Sequence, residues 1–426
     1  MDLLRIEKRK ATLCSNDAKS CYDRIVHTVA SICMQRLGVS TEACYVMFAT
    51  LQELKHHVRT AFGERSQGYG AVQIPLHGVG QGNGAGPAIW LAITIPLINM
   101  LRKAGFGLQI ITPISNETNE LACFVYVDDV DSIHSPIREN ISVNGITADT
   151  QRMLDMWAGG LHTTGGMIEA AKTYWYLIDF KWNQRRLQWD YKTINDTPAT
   201  LYLRHPGSLP VVLNRREVWE TDPDGTLGTY IAPDGNQRLV IENLTREINE
   251  WADKIRTKQL TTTEGWLSFR TGISASIRFK LTTSRLSKME CRQITKNLKQ
   301  AILQASGLPV TYPDVLVYAP REFLGLGLPD LWHVQASLFV TNCLQHGSVD
   351  DDPTGILLRA VLQYMRIEMG VSRCPISYPY SQWKRCVTPT QFTPFWEYAT
   401  DSAMELRDGL KDLPTARVND EFLMEA

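Results

Sequence analysis

Two adjacent aspartates at the tip of an apolar hairpin limit what this chain can fold into more than any other feature. The stretch CFVYVDDVDSIH runs from Cys123 to His134 and sets Asp128 beside Asp129 between two short apolar runs. The flanks, ELACFVYV and VDSIH, are rich in β-branched and aromatic residues, and aspartate tolerates turn geometry. The pattern therefore predicts two strands with the pair at their turn. Like charges repel, and nothing within the stretch offers a counter-ion. A solvated Asp-Asp turn meets that difficulty, and so does a cation held by the pair with a third carboxylate.

The rest of the chain supplies a third carboxylate in a matching setting. ATLCSND reads as a short strand ending at Asp17, and AKSCYDRIVHTVASICMQRLG as a helix, with Ile25, Val29, Ile32, Cys33 and Leu37 near helical spacing and Gly38 as its stop. A second helix is expected from about Thr41 to Phe62. SQGYGAVQIPLHGVGQGNGAGP is glycine-rich and reads as strand and loop, and a helix follows from Pro87, where proline suits the first turn. Another helix is expected near Ala148 to His162, then MIEAAKTYWYLIDFKW, which ends in an aromatic strand continued by RRLQWDYK. Residues 193–236 alternate Pro, Gly and Asp clusters with short strand-like runs. From Gln237 the pattern is helical to about Ala305 and again near 330–346; the tail from Ser348 is more acidic, and its end, NDEFLMEA, reads as frayed.

If the strands carrying Asp17 and the Asp128–Asp129 pair are neighbours in one sheet, three carboxylates converge. Such a set is costly unless a cation neutralises it. Hard oxygen ligands favour Mg²⁺, which commonly takes one or two carboxylates together with phosphate oxygens. A two-ion site can clamp the attacking and leaving oxygens of an in-line phosphoryl transfer. The glycine-rich GVGQGNGAGP lacks the Gly-Lys-Ser/Thr of a P-loop and the spacing of a dinucleotide fingerprint.

The order of these segments resembles a known family. NDAKSCYDRI, then GQGNGAGPAIW, then FVYVDD resemble motifs A, B and C of reverse transcriptases. TTGGMIEAAKTYW resembles motif D, and GTLGTYIAPDG the Leu-Gly-containing motif E of the non-LTR, retrotransposon type; the likeness covers about residues 11–236. APREFLGLGLPDL resembles the post-palm region of retrotransposon polymerases more weakly. The resemblance implies an α+β fold: a right-hand polymerase palm, an antiparallel sheet with helices on one face, over residues 1–236. A mostly helical thumb over 237–346 and a C-terminal helical extension over 347–426 would follow. It implies RNA-directed DNA polymerase activity, two-metal nucleotidyl transfer from a dNTP to a primer 3′-hydroxyl, with Mg²⁺ (or Mn²⁺) as cofactor and RNA template, DNA primer and dNTPs as partners.

Carried over by position, Asp17 is the first metal ligand, with Ala18 offering its backbone carbonyl, Asp128 is the second, and Asp129 a supporting carboxylate. Asp23 reads instead as a local partner for Arg24. Tyr22, five residues after Asp17, corresponds to the aromatic residue that sits against the incoming sugar, where its ring would clash with a 2′-hydroxyl. RNA-dependent RNA polymerases usually place an aspartate at this spacing, so Tyr22 favours DNA synthesis. Glycines let backbone approach a nucleotide closely; Gln81 and Gly82 of motif B fall there, Gln81 presenting an amide. Lys172 matches the motif D lysine, near the triphosphate, where it can protonate the leaving pyrophosphate.

A cationic stretch runs through Arg270, Arg278, Lys280, Arg285, Lys288, Arg292, Lys296 and Lys299, with Glu290 the only acid among them. It is the expected grip on a nucleic-acid backbone, with Arg278, Lys280, Arg285 and Lys288 the chosen contacts; a solvated charged face is the bland alternative. KWNQRRLQWDYK interleaves basic and aromatic residues and can stack on bases or touch phosphates. The formal net charge of −1 excludes a uniformly basic coat and leaves room for a local groove. Nine cysteines with no C-x-x-C pair read as reduced thiols of an intracellular protein, nuclear or cytoplasmic. The N-terminus lacks a secretory pattern, and the longest apolar stretch, Pro87 to Leu101, is too short to span a membrane. Only sixteen residues precede Asp17, which leaves no room for the family's fingers region, and no endonuclease or RNase H pattern is present. The expectation is therefore a palm and thumb without fingers, with a catalytically inactive remnant that at most binds nucleic acid as the alternative.

Overall fold

The computed structural model describes residues 1–66, 68, 77–136, 141–221, 225, 228–258, 260–349 and 352–402. The NDEFLMEA tail, residues 69–76 of the glycine-rich stretch and Leu227 of the Leu-Gly pair lie outside the described residues. The chain forms two compact units, Lys8–Gln109 with Asn119–Val218, and Met1–Glu7 with Ile110–Thr118 and the described residues from Trp219 onward.

The first unit is built on a five-stranded sheet. Its strands are β1 (Ala11–Asp17), β2 (Cys123–Tyr126), β3 (Asp129–His134), β4 (Tyr174–Ile178) and β7 (Asn214–Arg215), in the order β7-β4-β1-β3-β2. The hairpin formed by β5 (Phe180–Asn183) and β6 (Gln188–Tyr191) stands outside that sheet. The expected antiparallel sheet is corrected to a mixed one. β1 pairs antiparallel with β3 and β4, β2 pairs antiparallel with β3, but β7 joins β4 in parallel. The chain returns from β5 and β6 through an intervening excursion, so its last strand enters in the same direction as β4.

Period-two alternation divides β1 between two faces. Thr12, Cys14 and Asn16 are buried, whereas Leu13, Ser15 and Asp17 are half-buried. The buried face packs on helices α3 (Gly86–Lys103) and α4 (Val143–Thr163), with α1 (His27–Arg36) and α2 (Thr41–Glu53) beside them. Thr12 and Thr150 share a hydrogen bond of 2.6 Å there, and Asn16 donates to Ser132 Oγ at 3.2 Å, so the two polar groups in this face are satisfied. α4 begins earlier than its apolar spacing suggests because Ser142 caps it, accepting from the Gly145 amide at 3.0 Å.

The helix expected over residues 18–38 is interrupted. A 3₁₀ turn covers Cys21–Arg24, Ile25 is extended, and α1 starts at His27. Two loops explain the break. The amide of Gly78 donates to the Ile25 carbonyl at 3.1 Å, and the amide of Val26 donates to the Thr164 carbonyl at 3.0 Å. The expected helix over 41–62 stops at Glu53.

The second unit is mostly helical: α5 (Arg238–Thr257), α6 (Thr262–Ser268), α7 (Ser274–Leu281), α8 (Lys288–Ala305), α9 (Leu331–Gly347) and α10 (Pro353–Met369). A π-turn over Phe269–Ile273 joins α6 to α7. Val240, Leu244 and Ile248 of α5 pack with Ile294, Leu298 and Ile302 of α8, both sets at helical spacing. Thr261 with Glu264 and Ser287 with Glu290 form capping boxes that start α6 and α8. All nine cysteines are free thiols. No helix among the described residues is long and apolar enough to cross a membrane.

Candidate active site

The register of β1 against β3 sets Asp17 directly opposite Asp129. Cross-strand partners in an antiparallel pair have Cα atoms about 4.5–5.5 Å apart, so the two carboxylates share one face of the sheet. The same alternation adds Asp131, opposite Ser15, and the exposed rings of Phe124 and Tyr126 on β2. Asp131 was missed by sequence reasoning; period-two spacing from Asp129 is the signal that locates it.

The hairpin turn lies one residue earlier than expected. Tyr126 pairs with Asp129, so Val127 and Asp128 form the turn and Asp129 is the first residue of β3. Val127 carries a positive φ of 56°, which is unfavourable for a β-branched residue. Two contacts hold it. The Trp90 indole donates to the Val127 carbonyl, and the Ala18 amide donates to the Asp128 carbonyl at 3.0 Å. The helix α3 thus fastens the β2–β3 turn through Trp90, to which the sequence reading assigns no role. Strain at a turn that must be over-determined by its surroundings is common at functional sites.

Lys172 approaches from the loop before β4, its ammonium 2.9 Å from Asp17 Oδ2. That loop runs against the end of β1: Lys19 N donates to the Met167 carbonyl at 2.8 Å, and Glu169 N to the Asp17 carbonyl at 2.9 Å. The bridge uses the Asp17 carbonyl and the Lys19 amide on either side of Ala18, leaving the Ala18 carbonyl outside it. A second pair, Lys19 with Glu169 at 2.9 Å, reinforces the junction.

The electrostatics follow from this crowding. Burial, then the charges of Asp128, Asp17 and Asp131, hold the Asp129 carboxyl above the usual carboxylate range, with Lys172 opposing. The hydrogen bond and charge of Asp17, with smaller help from Asp128 and Asp129, raise the Lys172 ammonium. Burial, with Asp128 adding, pushes the Cys21 thiol up to about 12. Burial is also the main cause raising the Tyr22 hydroxyl.

The glycine-rich loop is laid against this corner. The Val79 amide donates to the Tyr22 carbonyl at 2.8 Å, and His27 Nε2 lies 2.6 Å from the Gly78 carbonyl. A Cβ on Gly78 would stand 2.4 Å from the Asp23 backbone, so only glycine fits. A Cβ on Gly86 would meet the Tyr22 ring at 3.4 Å. Gln81 and Gly82 are exposed on the same loop. Asp23 is exposed and makes no ion pair with Arg24.

The cationic residues are not one exposed row. Lys280 is ion-paired with Glu247, and Arg285 donates to the Gly235 carbonyl; their side chains are only 11% and 12% exposed. Both serve the interior of the helical unit. Arg278 is exposed and Lys288 half-buried. Arg292, Lys296 and Lys299 follow helical spacing on α8 and, with Arg278, line a cavity of about 1050 Å³ that also contains Tyr318 and Asp330. Lys299 is spent on Asp314 at 2.7 Å. Arg292 and Lys296, named in the stretch but not among the expected contacts, are exposed here beside Arg278.

Among the described residues, no group of three or more His, Cys, Asp or Glu side chains is arranged to hold a metal ion. Mg²⁺ needs only one or two protein carboxylates beside phosphate and water oxygens, and the hard, mutually repelling donor set of Asp17 and Asp129 fits it.

No protein-family model and no curated protein matches this chain. Among solved structures, telomerase from Candida albicans in complex with a TWJ fragment of telomeric RNA aligns at 13% identity and a TM-score of 0.36, covering 91% of this chain and 51% of that one. Telomerase from Candida tropicalis with the corresponding RNA fragment aligns at 12% and 0.33, covering 86% and 48%. Apo telomerase from Candida tropicalis aligns at 12% and 0.30, covering 93% and 54%. The chain spans about half the length of these structures.

Proposed function

We propose that this chain is an RNA-directed DNA polymerase of the retroelement type. One observation carries the reading: Asp17 and Asp129 are cross-strand partners, and the turn holding Asp128 is bonded to the residue after Asp17. Motifs distant in sequence would need that juxtaposition to act on one phosphate. The reading assigns residues 1–236 to a palm, 237–346 to a helical thumb and 347–426 to a C-terminal extension.

Asp17, Asp128 and Asp129 would hold two Mg²⁺ (or Mn²⁺) ions, with the Ala18 carbonyl as a further oxygen. When bound, the ions would supply charge neutralisation at the reacting phosphate. The chain's own groups do the rest. Tyr22 shapes the sugar pocket against Gly86. Gln81 and Gly82 present an amide and bare backbone to the nucleotide. Lys172, cationic and exposed, moves from Asp17 toward the triphosphate and gives a proton to the leaving pyrophosphate. Arg278, Arg292 and Lys296 meet backbone phosphates of the RNA template and DNA primer; Lys288 is a weaker candidate, and Lys280 and Arg285 hold the unit together.

The test is extension of a DNA primer on an RNA template with dNTPs and Mg²⁺. Extension is the expected result; its absence at saturating template–primer would overturn the reading. A second reading is a chain that binds nucleic acid without extending it. It predicts binding without extension.

Tyr22→Ala should raise incorporation of rNTPs relative to dNTPs by about tenfold, since it removes a steric clash worth roughly 1–3 kcal/mol. Single-nucleotide incorporation with each substrate measures this. An unchanged ratio would take Tyr22 out of the sugar pocket.

A further inference from the structure

The β5–β6 hairpin plays no part in the chemistry proposed above. Its register sets Trp182 opposite Trp189 and Phe180 opposite Tyr191. Alternation puts these four rings on one face and Lys181, Asn183, Gln188 and Asp190 on the other. The aromatic ladder grades outward, from Phe180 at 8% exposure to Trp182 and Trp189 at 48% each. Phe180 and Tyr191 lie 4.9 Å apart between centroids, and the two tryptophans meet edge to face at 5.6 Å.

The base of the hairpin is fixed. The Asp179 carboxylate accepts from the Phe180 amide at 2.9 Å and from Lys192 Nζ at 2.8 Å, with Lys10 at 3.5 Å. The polar face satisfies itself: Lys181 pairs with Asp196 at 2.5 Å, and Asp190 accepts from Asn183 at 2.6 Å and Gln188 at 2.8 Å. At the tip, Asn183 Oδ1 accepts from the Arg185 and Arg186 amides at 3.1 and 3.3 Å, which orders the loop. The guanidinium groups of Arg185 and Arg186 are exposed and form no ion pair with any described residue. A seated ribbon therefore presents two half-exposed indoles and two exposed guanidinium groups, of which Arg186 is also within electrostatic reach of Asp190.

We propose that this hairpin binds an unpaired nucleic-acid strand, bases stacking on Trp182 and Trp189 and phosphates meeting Arg185 and Arg186. Stacking platforms beside cations suit single strands, whose base faces are open; a duplex hides them. The surplus positive charge at the tip selects an anionic partner. The contact is separate from the carboxylates. β4 runs antiparallel to β1, with Tyr174 at Ser15 and Ile178 at Ala11, so the hairpin leaves from the Ala11 end of the sheet. That end is about 20 Å from Asp17 along the strand.

The experiment uses the full chain and a fluorescein-labelled oligothymidylate of about 20 nucleotides, beside a duplex of the same length, read by anisotropy. Trp182→Ala with Trp189→Ala should weaken single-strand binding by about tenfold or more, as should Arg185→Glu with Arg186→Glu, whose exposed tip cannot disturb the core. Trp182→Phe with Trp189→Phe should restore most of the affinity. Duplex binding should change less than single-strand binding. Unchanged single-strand affinity in the arginine pair, or an equal loss for duplex, would overturn the proposal. So would a dimer in light scattering that the tryptophan variant abolishes, since the ladder would then belong to a second copy. The same losses are expected in an Asp17→Asn, Asp128→Asn background, so failure of the polymerase reading leaves this result standing.

Discussion

On the proposed function, Asp128→Asn should lower RNA-templated dNTP incorporation by on the order of a thousandfold or more, while template–primer affinity and the circular dichroism spectrum stay as in the parent chain. The amide keeps the volume of the carboxylate and removes its charge. The turn survives because it is held through backbone: the Asp128 carbonyl accepts from Ala18, and the Val127 carbonyl from Trp90. Asp17→Asn should do the same, with one difference, since it also frees Lys172 from its 2.9 Å pairing. Retained incorporation in both variants would sink the catalytic assignment.

Asp129→Asn separates charge from chemistry. The raised Asp129 pKa means that the folded state binds this proton more tightly than the unfolded chain. The resulting cost to folding is complete above the raised value and vanishes below the ordinary carboxylate range. In buffer without divalent cations the variant should therefore melt higher than the parent at neutral pH, with the gap closing as pH falls through that interval. An equal gap across the interval would mean that repulsion among these carboxylates is not what the substitution relieves.

Much of this corner was legible because it is local. A strand ending at Asp17 and a hairpin carrying Asp128 and Asp129 follow from alternation and turn chemistry. What was not legible depends on partners distant in sequence. The one-residue offset of the turn is set by Tyr126 pairing with Asp129 and by Trp90, 37 residues upstream of Val127. The break before α1 is imposed by loops around Gly78 and Gly165, whereas apolar spacing alone runs straight through it. Lys280 and Arg285 look like solvated cations until Glu247, 33 residues away, and Gly235, 50 residues away, are placed beside them. The capping boxes at Thr261 and Ser287 are the opposite case, since each needs only the residue three positions on.

The second large effect concerns the loop that carries Lys172. Gly165→Ala should destabilise the sheet unit by about 3 kcal/mol, on the order of a hundredfold in its folding equilibrium. Gly165 has φ of +91°, and a Cβ there would lie 2.1 Å from the Arg24 carbonyl oxygen and 2.8 Å from Val26 Cγ2. Both obstacles are rigid: the oxygen is backbone, and Val26 is tied by its amide to the Thr164 carbonyl at 3.0 Å. Gly159→Ala, six residues earlier in α4, is the internal control. Its Cβ would meet nothing within 4 Å, so the exchange should gain about 0.5–1 kcal/mol from helix propensity. Urea midpoints of the two variants should move in opposite directions. If Gly165→Ala instead unfolds like the parent yet loses incorporation, the loop has shifted without melting. The Asp17–Lys172 pairing, not the stability of the sheet, would then be what the close approach of Gly165 to Arg24 secures.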